Sequence, residues 1–219
     1  MALRPNVRLA DTDRIEGFSD AVFAIAITLL VLDLAIPQPG AFAADLVSDW
    51  PSYLAYLTAF VTIAGVWVHH HTVFTRVVRA EPVVVILNVL VLLGVSLIPW
   101  PTRLIGAALR DGRIADQTAA IVVFAVPSVI LAVSWFVLSR ALAARPALLG
   151  ASDDVAFMQR NARTTVLTLI PTAAATGLAF VAPLGSLAIY LLISTYFLLR
   201  NAQSTRPLPP GALSADDTD

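Results

Sequence analysis

The chain has 219 residues, of which 58% are hydrophobic and only 13% charged, with a mean hydropathy of +0.81. Soluble domains are about 45–50% apolar and about 25% charged, so this is the composition of an integral membrane protein. A net charge of −1 offers no basic surface for a nucleic acid, and the absence of cysteine removes disulfides, thiol nucleophiles and cysteine-based metal centres.

A spanning helix needs about 20 mostly apolar residues, and six segments meet that need. The first runs over 15–36 and stops at the prolines of IPQPG. The second runs over 51–74, and the third over 82–105 with Pro82 in its first turn. The fourth covers 117–140, the fifth 162–182 and the sixth 184–200, the last two joined by the tight VAPLG turn. Pro127 and Pro171 lie inside the fourth and fifth and predict kinks. Three domains follow: a segment 1–14, an all-α six-helix region 15–200, and a polar, Pro-rich, acidic tail 201–219 predicted to be disordered.

Arginine placement orients the chain. With the N-terminus inside, Arg4, Arg8, Arg14, Arg76, Arg79, Arg140, Arg145, Arg160, Arg163, Arg200 and Arg206 are cytoplasmic. Arg103, Arg110 and Arg113 fall in the outer loop between the third and fourth segments. Both termini are then cytoplasmic, and Trp50 and Trp100 sit at the outer interface. A cleaved signal peptide is disfavoured, because Asp11, Asp13, Glu16 and Asp20 outnumber the nearby arginines.

The first segment, RIEGFSDAVFAIAITLLVLDL from Arg14, carries an acid near each end, Asp20 and Asp33. The uncharged run between them, Ala21 to Leu32, is short for a lipid-facing span, and charges within a membrane are costly. Such a helix belongs inside a protein assembly or beside water. Ile25, Leu29 and Leu32 share one face, extended by Val22 and Ile36, with Thr28 one position away. That stripe fits ordinary helix packing, and it also fits a pore lined by apolar rings that gate ions by dewetting.

The pattern Arg14, Phe18, Ser19, Asp20 opening an Ile/Leu-rich helix resembles the signature of the transmembrane protein 175 family, potassium-permeable channels of endosomes and lysosomes with bacterial relatives. WVHHHTVF, with Trp67, His70, His71 and Phe74, resembles that family's second-helix motif. Asn88 and LIPWPT resemble its third helix. The resemblance implies a homotetramer of single six-helix subunits in a cell membrane, with helix 1 of each subunit lining a central pore. It implies constricting rings at Ile25, Leu29 and Leu32, a hydroxyl layer at Thr28, and K+ as the permeant ion. It further implies a buried polar network joining Arg14, Ser19 and Asp20 to His70 or His71 and Asn88. A buried Asp20 would need such a partner.

Other chemistries are poorly supported. His69, His70 and His71 point about 100° apart on a helix and cannot converge on one metal ion. No HExxH, GxSxG or paired intramembrane acids are present, so neither an enzyme nor a cofactor is expected. No Thr-Val-Gly-Tyr-Gly filter occurs, so selectivity would rest on side chains of helix 1. The alternative is a secondary transporter or proton-permeable carrier, kept open by the prolines in the fourth and fifth helices. At the outer mouth, Asp33, Asp45 and Asp49 are expected to concentrate cations.

Overall fold

A computed structural model describes residues 12–203, without the Asp33 side chain. The expectations for Arg4, Arg8, Asp11, Arg206, the Asp33 mouth position and the tail beyond 203 lie outside what it describes. The described fold is helical: α1 (Thr12–Leu29), α2 (Phe42–Ser48), α3 (Trp50–Phe74), α4 (Pro82–Leu97), α5 (Pro99–Asp111), α6 (Ile114–Ala143), α7 (Ser152–Leu178) and α8 (Pro183–Ala202). Five stretches, 12–32, 50–74, 82–111, 114–143 and 183–202, are long and apolar enough to cross a bilayer. The sixth long helix, α7, packs between α6 and α8 and spans about 40 Å at 1.5 Å per residue.

Several boundaries differ from the sequence reading. The first helix tightens into a 3-10 turn over Leu30–Asp33 and ends there, so Ile36 lies beyond it rather than on its stripe. The third predicted helix is two, broken at Ile98. Pro99 and Pro101 occupy the first turn of α5, where a missing N–H costs nothing. Arg103 and Arg110 therefore ride on a helix, not a loop, and Gly112, at φ 77°, closes it in the left-handed conformation that favours glycine. Finally, α7 starts ten residues early.

That early start has a tertiary cause. The Asp154 carboxylate accepts the Ala151 N–H at 2.9 Å, and acids in a first turn complement the helix dipole. Arg76 lies 3.6 Å from Asp154 and stacks over Phe157 at 4.0 Å. The loops before α4 and α7 also pair through Val78 N–H to Leu148 O and Gly150 N–H to Arg76 O. Arg145 closes the same end with Glu81 at 3.0 Å.

Small residues set the helix contacts, as they do where lipid removes the hydrophobic drive between helices. A Cβ on Gly94 would lie 2.8 Å from Leu131 Cγ, so α4 and α6 meet only because residue 94 has no side chain. Gly65 faces Phe197 and Leu198 of α8, where a Cβ would make only ordinary contacts at 3.4 to 3.5 Å. The core then fills with Phe23, Ile63, Phe74, Phe124, Leu138 and Met158, all almost completely enclosed.

Candidate functional site

Helix α1 has two faces of opposite fate. Ile15, Ser19, Phe23, Ala26 and Leu30, spaced four, four, three and four residues apart, are buried against α3 and α4. Phe18, Ile25, Leu29 and Leu32 form the other face and are 60%, 59%, 44% and 72% exposed. Val22, placed on the exposed stripe by the sequence reading, instead packs half-buried against the core. Thr28 is exposed beside the stripe, and its hydroxyl donates to Ile25 O at 3.0 Å. With that proton committed, the Thr28 oxygen presents only lone pairs outward.

The buried face is pinned by a three-residue relay. Ser19 Oγ donates to Ile15 O at 2.7 Å and accepts the Asn88 amide N–H at 2.9 Å. Asn88 Oδ1 lies 3.0 Å from His70 Nε2, so that nitrogen carries the proton and donates. The His70 ring stacks on Phe74 at 4.2 Å and meets Phe23 edge-on at 5.4 Å. Ser19, Asn88 and His70 are each at most 2% exposed and satisfied, as buried polar groups must be.

Asp20 does not join this relay. Ser19 and Asp20 are successive residues about 100° apart, so they face different neighbours. Asp20 is exposed and accepts the Trp67 indole N–H at 2.9 Å, and Trp67 stacks on the exposed His71 at 6.2 Å. Arg14 is exposed, and no contact among the described residues ties it to Asp20. The single network read from the motif is thus two: Ser19–Asn88–His70 inside and Asp20–Trp67–His71 at the surface. Phe18 belongs to neither and continues the apolar stripe instead.

The third histidine serves another region. His69 Nδ1 faces Asn201 Oδ1 at 3.3 Å, and Nε2 faces the Asn161 amide at 3.3 Å. Asn161 also donates to Ser139 Oγ at 2.8 Å, and the His69 ring meets Trp135 edge-on at 4.5 Å. The three imidazoles diverge as helical spacing requires. Asn161, Ser139 and Asn201 went unread in the sequence, because isolated polar residues on three separate helices leave no periodic signal. Asn201 belongs to α8, one residue past the predicted end of that helix.

At the opposite end of α3, Asp49 is buried and holds Arg110 at 2.7 Å, while Ser52 bridges the pair. Burial opposes its charge, but hydrogen bonds from Arg110 and Ser52 and the Arg110 charge outweigh that and keep the carboxyl below its ordinary value. Asp49 is therefore neutralised by Arg110 and is not a free mouth charge. Asp45 is half-buried and spends one oxygen on the Gln38 N–H at 2.8 Å.

Comparison with known proteins places the chain in a family. The family described as "Endosomal/lysosomal potassium channel TMEM175" matches residues 14–99, the segment holding most of α1, all of α3 and Asn88. A Streptomyces collinus protein named a potassium channel is 45% identical over 114 residues, covering 51% of this chain and 55% of that protein. The human protein named "Endosomal/lysosomal proton channel TMEM175" is 35% identical over 112 residues, 46% of this chain and 22% of its own length. The chain thus spans little more than half the length of the bacterial relative and less of the human one. The crystal structure of a lysosomal potassium-selective channel TMEM175 homolog from Chamaesiphon minutus superposes with a TM-score of 0.71 at 31% identity. That match covers 87% of this chain and 97% of the other. The chain belongs to the TMEM175 family.

Proposed function

We propose that the protein is a potassium-permeable cation channel, passive and homotetrameric, with four copies of α1 around a central pore. The observation that carries the reading is the exposed stripe Ile25, Leu29, Leu32 on a helix whose other face is buried and pinned by the Ser19–Asn88–His70 relay. An apolar face of that size is unstable against water and gains nothing special from lipid, whereas four copies around an axis turn it into stacked constricting rings. Thr28 then lends oxygen lone pairs beside the rings, the one protein oxygen layer a partly dehydrated K+ meets there.

The Trp67 N–H holds the exposed Asp20 carboxylate about 140° around α1 from Ile25, off the stripe rather than on it. Arginines cluster toward the ends that carry Arg76, Arg79, Arg140, Arg145 and Arg200, which puts both termini in the cytoplasm of a cell-membrane protein. The membrane-facing partners are the lipid bilayer and the other three copies. The name of the human relative favours one second reading, a pathway that also passes protons.

Liposome flux of the Ile25→Asn variant tests the stripe. A hydrophilic ring at residue 25 should raise cation flux or weaken discrimination between K+ and Na+; unchanged flux and selectivity would remove Ile25 from the pore. Flux measured under a pH gradient without K+ separates the proton reading from the potassium one.

A further inference from the structure

A cavity of about 120 Å³, partly open to the surface, lies away from α1 and is lined by α3, α6, α7 and α8, with His69 and Trp135 in its wall. Protein interiors hold few voids larger than a water molecule, so a void of this size in a membrane bundle calls for an occupant. Dry cavities of about 150 Å³ take up benzene, which puts a single six-membered ring within scale.

The hydrogen bonding of the lining decides the chemistry of that occupant. On α7, Thr165 donates to Asn161 O, Thr168 to Thr165 O and Thr172 to Thr168 O. Thr62 on α3 donates to Thr58 O, so in its 2.7 Å contact with Ser194 the Ser194 hydroxyl is the donor. Each of these five protons is committed within the protein, and each oxygen keeps lone pairs available. Ser128 on α6 is the lining hydroxyl with its proton uncommitted among the described residues. The His69 nitrogens are both engaged, by Asn201 and Asn161. The Trp135 indole N–H in the wall has no protein partner, so the lining pairs many acceptor lone pairs with two open donors, Ser128 and Trp135, and holds no free charge; a hydroxyl, which both donates and accepts, answers both. The rest of its wall is apolar, with Val66, Leu131, Ala132 and Ile193.

A second hollow, of about 490 Å³ between α7 and α8, shares Thr168, Ile193 and Phe197 with the cavity. It gives a lateral approach from the lipid-facing side of these two helices.

We propose that this cavity is a binding site for a small neutral hydrogen-bond donor with an apolar body, an alcohol or a phenol, entering from the bilayer between α7 and α8. Its O–H meets the threonine and serine lone pairs while its ring or chain fills the apolar wall. A cation is disfavoured because no carboxylate lines the space, and a purely apolar guest leaves the acceptors unused.

The probe is 4-bromophenol, with bromobenzene as the matched ring lacking a donor. In crystals of the full chain grown with 4-bromophenol, the bromine anomalous peak should fall inside the cavity. In detergent solution, 4-bromophenol should stabilise the protein thermally at a half-saturating concentration at least roughly tenfold below that of bromobenzene, since sites built around a hydroxyl discriminate against its loss. Ala132→Phe should abolish stabilisation by both. Thr168→Val, which keeps shape and removes an acceptor, should narrow the gap between the two probes and remains decisive if the bulky variant fails to fold. Water alone in the cavity at saturating 4-bromophenol, or equal potency of the two probes on the wild type, would overturn the proposal.

Discussion

His70 and His69 are neighbours on α3, yet they anchor regions built on opposite plans. The His70 side, shared by α1, α3 and α4, is tightly packed, and every buried polar atom of its relay has a partner. The His69 side, shared by α3, α6, α7 and α8, holds a cavity and leaves the Trp135 indole N–H and the Asn201 amide N–H without protein partners. Buried unsatisfied donors cost about 1–3 kcal/mol each, a cost that the His69 side carries and the His70 relay does not. The difference teaches that rigidity is concentrated where α1 is held in place, and relaxed on the far side of the same helix.

The largest effect should come from breaking the tight side. Asn88→Ala strips a partner from both Ser19 Oγ and the His70 N–H and opens a hole, for a loss of about 2–4 kcal/mol. Thermal unfolding in detergent should fall by several degrees, with tetramer yield on size exclusion falling alongside. An unchanged melting temperature would mean that the relay does not hold α1.

The seam between the two regions is next. Gly94→Ala forces a methyl onto Leu131 at 2.8 Å and should cost about 1–3 kcal/mol, read by the same unfolding assay. Substituting Leu131→Ala in that background should restore part of the loss, which a purely conformational effect of alanine would not show.

Both histidine regions lie away from the Asp49–Arg110 pair, which offers an acid-sensitive control. Asp49 is held below its ordinary value in the folded protein, so its contribution is complete above the unfolded carboxyl pKa of about 4. It is lost as pH falls through the lower folded value. Unfolding temperatures of wild type and Asp49→Asn should therefore converge below about pH 4 and separate above it. A constant gap from pH 3 to 7 would contradict the pair's role.

The smallest change should come from the slack side. His69→Phe keeps the ring against Trp135 and Phe197, leaves Asn161 its Ser139 partner and gives up the longer 3.3 Å contact to Asn201 Oδ1, so it should cost about 1 kcal/mol. His70→Phe, its counterpart one residue on, orphans Asn88 Oδ1 in a packed site and should cost clearly more. Equal losses for the two would erase the contrast between the regions.

Much of the fold was legible because its signals are local. Pro82 marked the start of α4, Pro127 and Pro171 fell inside α6 and α7, and runs of apolar residues gave the spans. The start of α7 was not legible, since Asp153, Asp154 and Arg160 lie ahead of the apolar run and read as a loop until Arg76 pairs with Asp154 from another turn. The stripe of α1 was readable from its spacing. Its polar motif was read as one unit, although the 100° step that separated the histidines separates Ser19 from Asp20 as well. The Asp49–Arg110 pair spans 61 positions in the chain, and no local pattern announces it.

Recording in planar bilayers tests the central claim most directly. Purified protein with K+ on one side and Na+ on the other should give unitary current steps, with reversal favouring K+, and Ile25→Asn should change step size or reversal. Slow transport without unitary steps, or steps indifferent to residue 25, would contradict a pore lined by α1.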